Sequence, residues 1–277
     1  MAGRSTNFTL LVAQRAPLNG TLLQGSWAAL LQWPAARRLE SIDYPERDGK
    51  AVDFGAGLYD GAPRELRFPL YINGDSAEAL QHLLRYEMMS QKIELFVDSL
   101  GYRARMQVNG VEAIVQGQHA AWASVRMLEC ELPEWFVYDW SSPAAGPMLG
   151  TLALRGGAGL DGLGVGVALG AWAPKGGAPR KRLSNPGYAL ADGVGREEAK
   201  VVLPCAMGGF KSVGDLLCNY GAAWQWFVKR TAEAELRTAQ AVYSGARYES
   251  QRVVAFDPVR HWVQFEVTLA VRSVEVL

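Results

Sequence analysis

Residues 64–72 read Arg64-Glu-Leu-Arg-Phe-Pro-Leu-Tyr-Ile72, and the rest of the chain is read outward from them. Leu66, Phe68, Leu70 and Ile72 fall on one side, the period of two that marks a strand with one buried face. Asn73-Gly74 breaks it. Asp75, with Glu78 three residues on, makes a capping box for a helix over about 76–89, with Leu80, Leu83, Leu84 and Met88 on one stripe. Ile93–Val97 then reads as a strand, Asp98–Gly101 as a turn, and Tyr102–Val108 as a strand alternating with Arg103, Arg105 and Gln107. Asn109-Gly110 signals a two-residue hairpin, and strands are expected at Val111–Val115 and Ala121–Leu132.

About 134 residues later the same order returns. Glu198–Leu203 is a strand, Gly208-Gly209 a break, and Phe210–Tyr220 a helix with Val213, Leu216, Leu217 and Tyr220 as its stripe. Strands are expected at Trp224–Val228, Ala232–Tyr243 and Arg247–Phe256, followed by a turn at Asp257-Pro258. In the closing strand, His261–Val274, Val263, Phe265, Val267, Leu269 and Val271 alternate with more polar residues. Upstream, Phe8–Val12 parallels Leu149–Leu154, and Trp33-Pro34 with Arg37-Arg38 parallels Trp172-Ala-Pro174 with Lys181-Arg182. Asp43–Gly49 likewise parallels Asn185–Gly193. These parallels predict a tandem duplication of a β unit with one helix, in domains 1–140 and 141–277 joined by the Pro/Gly/Ser run Ser141–Pro147. The second copy carries a glycine-rich segment over 156–177, either a loop ordered by a partner or a plain surface loop.

The chain has 277 residues, enough for one large domain or two small ones, and 28 basic residues balance 28 acidic ones. That balance argues against a broad basic face holding DNA. Residues 1–140 carry 13 basic and 17 acidic residues and residues 141–277 carry 15 and 11, a difference that would favour unlike neighbours in a ring. Cys130, Cys205 and Cys218 form no CxxC pair, so a reducing interior is expected. His82, His119 and His261 lie far apart, which makes an all-protein zinc site improbable. Phe8–Val12 is too short for a signal peptide, and Gly156–Ala173 is too rich in glycine to span a membrane well, so a soluble, unsecreted protein is expected.

Motifs of chemistry are missing. There is no GxSxG, HExxH or Walker pattern, and the glycines at 162, 164, 166 and 170 lack the spacing and βαβ setting of a dinucleotide site. Asp43, Glu46, Asp48 and Asp53 cluster without the ligand order of an EF-hand and read as a solvated loop. No nucleophile, base and orienter can be nominated. No cofactor, metal or catalytic residue is expected. Trp122, Trp135, Trp140, Trp224, Trp226 and Trp262 lie on or beside strands, as a core, a subunit interface or a sugar-stacking platform.

The loop Tyr44-Pro-Glu-Arg-Asp-Gly49, the strand Arg64-Glu-Leu-Arg-Phe-Pro-Leu, one helix, Ile93-Glu-Leu-Phe-Val and Tyr102-Arg-Ala-Arg-Met resemble the tail-tube domain of tailed bacteriophages. They are most similar to the N-terminal domain of distal tail proteins, over about 30–132 and more weakly over 170–275. The second copy departs from the pattern with Ala191-Asp-Gly193 in place of Arg-Asp-Gly. The resemblance implies a mainly β fold, a β-sandwich or split barrel with one flanking helix, in two tandem tail-tube-like domains. It implies a non-enzymatic virion protein whose domains join edge to edge in a ring through which DNA passes without sequence-specific binding. Two copies per chain would make a homotrimer with pseudo-sixfold symmetry; one copy lining the ring would make a homohexamer. Partners would be the chain itself and neighbouring tail proteins (tube, tape measure, hub), with assembly in the host cytoplasm and no membrane. On this reading Arg103, Arg105, Gln107, Glu235 and Arg237 are candidate lumen-facing residues, and Arg47, Asp48, Gly49, Asp192 and Gly193 candidate ring or stacking contacts. A carbohydrate- or ligand-binding β-sandwich is the alternative.

Overall fold

A computed structural model describes residues 6–11, 18–22, 26–35, 41–43, 50–52, 64–73, 93–97, 102–116, 120–129, 153–154, 164–167, 198–230, 236–237 and 241–276. The fold is mainly β, with several antiparallel sheets. In chain order the elements are β1 (Thr6–Leu11), β2 (Leu18–Leu22), α1 (Ser26–Leu31), β3 (Ser41–Asp43), β4 (Lys50–Val52) and β5 (Glu65–Asn73). Next come β6 (Ile93–Val97), β7 (Tyr102–Gln116), β8 (Ala120–Glu129), β9 (Ala153–Leu154), β10 (Val165–Val167) and β11 (Ala199–Met207). The last are α2 (Val213–Arg230), β12 (Leu236–Arg237), β13 (Ala241–Ser244), β14 (Arg247–Asp257), β15 (Trp262–Val271) and β16 (Ser273–Val276). They pack as two compact units: Met1–Gln32 with Pro63–Asp139, and Trp33–Ala62 with Trp140–Leu277. A division at residue 140 places residues 33–62 in the first unit; in the structure they pack with the second.

In the first unit the hydrogen-bonded order is β1-β2-β5-β8-β7-β6, and β6 pairs back with β1 to close the ring. Alternation puts Leu66, Leu95, Val97, Met106, Ala123, Val125 and Met127 inside, so the ring encloses a packed core. One charged pair shares this interior. The Arg64 guanidinium donates to Glu129 through Nε (2.6 Å) and Nη2 (2.5 Å), and its Nη1 donates to the carbonyls of Leu30 (3.1 Å) and Gln32. Arg64 thereby satisfies the C-terminal carbonyls that α1 cannot pair internally.

The second unit contains the sheets β10-β11-β15-β14 and β16-β13-β12-β9 and the ribbon β3-β4. Ser212 caps α2 by accepting from the Asp215 N–H at 3.0 Å. Leu216, Leu217, Tyr220, Ala223, Trp224 and Phe227 recur at helical spacing and are buried. Gly245, at φ +64°, makes the tight turn between β13 and β14.

The order β2-β5-β8-β7 of the first unit recurs as β10-β11-β15-β14. The register recurs with it: Leu66 faces Met127 as Val201 faces Leu269. β7 inserts Asn109 opposite the Met127/Arg126 step, and β14 inserts Glu249 opposite the matching Leu269/Thr268 step. The short strands β2 and β10 stop at the same point, at Leu70 and Cys205, each one residue short of a proline, Pro69 or Pro204. Residues along a strand point their N–H groups to alternate sides, and the Arg64 carbonyl accepts from Glu129 of β8. Pro69, an odd number of residues on, therefore has its missing donor on the β2 side, where the ladder stops.

Three sequence expectations need correction. Asn109-Gly110 is not a hairpin turn but a bulge within the continuous strand β7. Gly110 sits under Arg126, whose Nη2 would lie 2.8 Å from an added Cβ. Trp224–Val228 is not a strand but the last part of α2, because Tyr220, Trp224, Phe227 and Val228 continue the helical stripe and bury together. The closing strand is two elements, since Arg272 interrupts it and β16 pairs with β13 in the other sheet. The helix expected over 76–89 lies outside the described residues.

Candidate functional site

The outward-facing rows of the first unit's sheet form a continuous surface. Cross-strand partners place Tyr71, Trp122 and Val115 in one row. Tyr71 and Trp122 meet edge to face at 5.0 Å, while Trp122 is 46% and Val115 66% exposed. Beside this row lies a lattice of charge. Glu112 pairs with Arg67 and lies 3.7 Å from Arg126, which is also 3.7 Å from Glu65. Asn109, the bulged residue, donates to Glu65 at 2.8 Å. These groups are half-exposed, so each pair contributes at most about 1 kcal/mol, and the lattice fixes orientation more than stability.

The matching rows of the second unit carry other side chains. Tyr71, Trp122 and Val115 correspond to Ala206, Gln264 and Ala255, so the aromatic row has no counterpart there. Its outer face carries the ion pairs Lys200–Glu249 (2.9 Å) and Arg252–Glu266 (2.8 Å), with Val202 and Val254 exposed. At the β14–β15 turn, Asp257 accepts from the backbone N–H groups of Val259 (2.9 Å) and Arg260 (3.0 Å). Those bonds, the one from Arg260 foremost, hold its carboxyl below the usual carboxylate range. His261 closes the turn at φ 51°, its Nδ1 2.9 Å from the Phe210 carbonyl.

No protein-family model, curated protein or solved structure matches the chain. The residues themselves carry the functional reading.

Among the described residues no three His, Cys, Asp or Glu side chains gather as a metal site, and no helix is long and apolar enough to cross a membrane. Burial raises the Cys205 thiol far above its ordinary value, and burial with the nearby Asp215 charge raises Cys218. Burial pushes the Tyr243 hydroxyl up to about 12. Of the candidate lumen residues, Arg105 and Gln107 flank the buried Met106 on the exposed side of β7. Arg103 and Arg237 lie on β7 and β12, and Glu235 is outside the described residues. Arg47, Asp48, Gly49, Asp192 and Gly193 also lie outside them; the first three fall between the paired strands β3 and β4. Of the candidate stacking tryptophans, Trp224 and Trp226 are core residues and so not part of a surface platform, Trp262 is half-buried and Trp122 stands exposed. Trp135, Trp140, His82, His119 and Cys130 are outside the described residues.

Packing also changes the charge difference. The first unit carries 9 basic and 11 acidic residues, the second 19 and 17, because residues 33–62 bring a net acidic segment to the second. The charge difference between the packed units is correspondingly smaller than that between the sequence halves.

Residue reading alone missed three groups: the Arg64–Glu129 pair, the Ser212 cap and Gln251, which is buried against Trp33. Only Ser212, three residues before Asp215, left a sequence signal.

Proposed function

We propose that this chain is a structural protein of a phage or phage-like tail, two tandem tail-tube-like β domains that assemble into a ring around a DNA channel. The observation that supports this reading most is the shared strand order, register and first-bulge position of β2-β5-β8-β7 and β10-β11-β15-β14, the second bulges lying two residues apart. Two copies of one sheet in a chain give a subunit that can occupy two quasi-equivalent places in a closed ring, as a trimer with pseudo-sixfold symmetry. The first unit's interior is filled, so a DNA channel would not run through it. On this reading the protein is not an enzyme, needs no cofactor, and works in the virion beside tube, tape-measure or hub proteins. Arg105 and Gln107 are candidates for the lumen because they are exposed on one strand face.

Native mass measurement with negative-stain imaging tests the proposal. Three- or sixfold rings with an open centre are expected. A compact monomer at every concentration, without a central opening, would remove the ring. The second reading, a carbohydrate-binding β module, is favoured by the Tyr71–Trp122 pair, in which Trp122 is exposed. Glycan-array binding lost in Trp122→Ala would move it to first place.

A further inference from the structure

Asn109-Gly110 carries a chemistry of its own. Glycine leaves the nitrogen after an asparagine unshielded, so in an Asn-Gly pair that nitrogen can attack the side-chain amide. Such pairs start at Asn19, Asn73 and Asn109, and their places in the fold differ. Asn19 stands in ladder register opposite Thr9, and Asn73 opposite Ala120. Asn109 is inserted between Val108, opposite Met127, and Gly110, opposite Arg126, with no residue of β8 facing it. A bulge takes its residue out of the extended geometry that holds a side-chain amide away from the next nitrogen. The Asn109 side chain is also exposed.

Two groups are placed to assist. Glu65 accepts from Asn109 Nδ2 at 2.8 Å and orients the amide. Arg126 lies over Gly110, its Nη2 and Nε 2.8 and 3.2 Å from where a Cβ would stand. That Nε is buried and has no hydrogen-bond acceptor among the described residues, Glu112 Oε1 being 3.7 Å away. A spare guanidinium donor there stabilises the negative charge that develops as the Gly110 N–H is lost and passes to the Cγ oxygen. We propose that Asn109 is a site of self-modification, deamidated by the Gly110 nitrogen with Arg126 assisting. The nitrogen bonds to Asn109 Cγ, the Cγ–Nδ2 bond breaks, and ammonia leaves with the proton that Gly110 gives up. Water then opens the succinimide to aspartate or isoaspartate.

The product reverses one contact. A donor to Glu65 becomes a second carboxylate against it, within the lattice that Arg126 and Glu112 share. The second unit has the partner that an acid at the inserted position requires. There Glu249 pairs with Lys200 at 2.9 Å, and Lys200 takes the place of Glu65. This chemistry needs neither a ring nor a second copy.

In the test the full folded chain is incubated at neutral to mildly alkaline pH. Peptide mapping follows the mass gain of deamidation and the isoaspartate at each Asn-Gly pair. Asn109 should convert at least about tenfold faster than Asn19, whose ladder must open first, and in urea the two should react alike. Equal protection of both in the folded chain would overturn the proposal. Arg126→Lys, which keeps the charge and removes Nε, should slow Asn109 severalfold and leave Asn19 unchanged. An unchanged Asn109 rate would reject the role of Arg126. If that variant does not fold, the pH dependence of the unaltered chain decides. Assistance moves the rise in Asn109 rate to lower pH in the folded chain than in urea, and an identical rise rejects it. Asn109→Asp should lower the melting temperature, but not in a Glu65→Lys background. A loss in both backgrounds would remove the clash with Glu65.

Discussion

At one place in the shared register the two units solve the same packing problem with opposite chemistry. Where the first sets Arg64 opposite Glu129, the second sets Ala199 opposite Val271, and both pairs are buried. The second unit has its own bidentate Arg–Glu pair, Arg247 with Glu198, but it is part-exposed, with contacts of 2.5 Å. A buried ion pair costs much desolvation and is no better for stability than a well-packed apolar pair. The first unit therefore retains its pair for a reason its neighbour lacks, and α1 supplies it: Arg64 also donates to the Leu30 and Gln32 carbonyls.

This difference can be broken directly. Arg64→Ala or Glu129→Ala leaves a buried charge without a partner and should cost about 3–5 kcal/mol in denaturant melts. The double change Arg64→Ala with Glu129→Val installs the second unit's solution and should recover much of that loss, leaving the cost of the orphaned α1 carbonyls. Glu198→Ala, at the part-exposed pair, should cost about 1 kcal/mol. Equal losses at the two pairs would sink the distinction.

The shared bulge offers a smaller effect. Gly110 corresponds to Ser250, since each follows the inserted residue. Gly110→Ser gives the first unit its counterpart's residue but collides with Arg126, with an expected cost of about 1–3 kcal/mol. Ser250→Gly should cost under about 1 kcal/mol, from backbone entropy alone. A harmless Gly110→Ser would mean that Arg126 moves aside freely.

The smallest difference concerns acid. Gln116 ends β7 at the register of Phe256, whereas β14 runs one residue further to Asp257, a group that titrates. Its folded carboxyl is held below its ordinary value, so its contribution is complete above that value and fades as pH falls through the lowered one. Amide exchange at Val259 and Arg260 should quicken over that acid window and lose its pH step in Asp257→Asn. The Asn oxygen can still accept both N–H groups. An unchanged step would assign the acid response to another group.

How much of this was legible follows from what each residue has to satisfy. Alternation in 64–72 and 262–271 is local, so β5 and β15 could be read directly. The end of α2 could not. Trp224-Gln-Trp-Phe-Val has the composition of a strand, and only its helical spacing after Tyr220, together with burial of Trp224 and Phe227, decides otherwise. Asn109-Gly110 misled for a similar reason: the pair suits a hairpin, and what holds it in a strand is Arg126, on a different strand. Trp33 was legible as a hydrophobic residue before a proline but not as a member of the second unit, because its partners, from Tyr220 to Phe265, lie roughly 190 to 230 residues away.

That separation also sets a schedule for the newly made chain. Trp33 leaves the ribosome 218 residues before Gln251 exists to receive it. At ordinary synthesis rates the wait is on the order of ten to forty seconds. Through that interval a large indole on the growing chain lacks its receptor, so nascent chains of this protein pass through a long window in which chaperones or completed neighbours can reach that ring first.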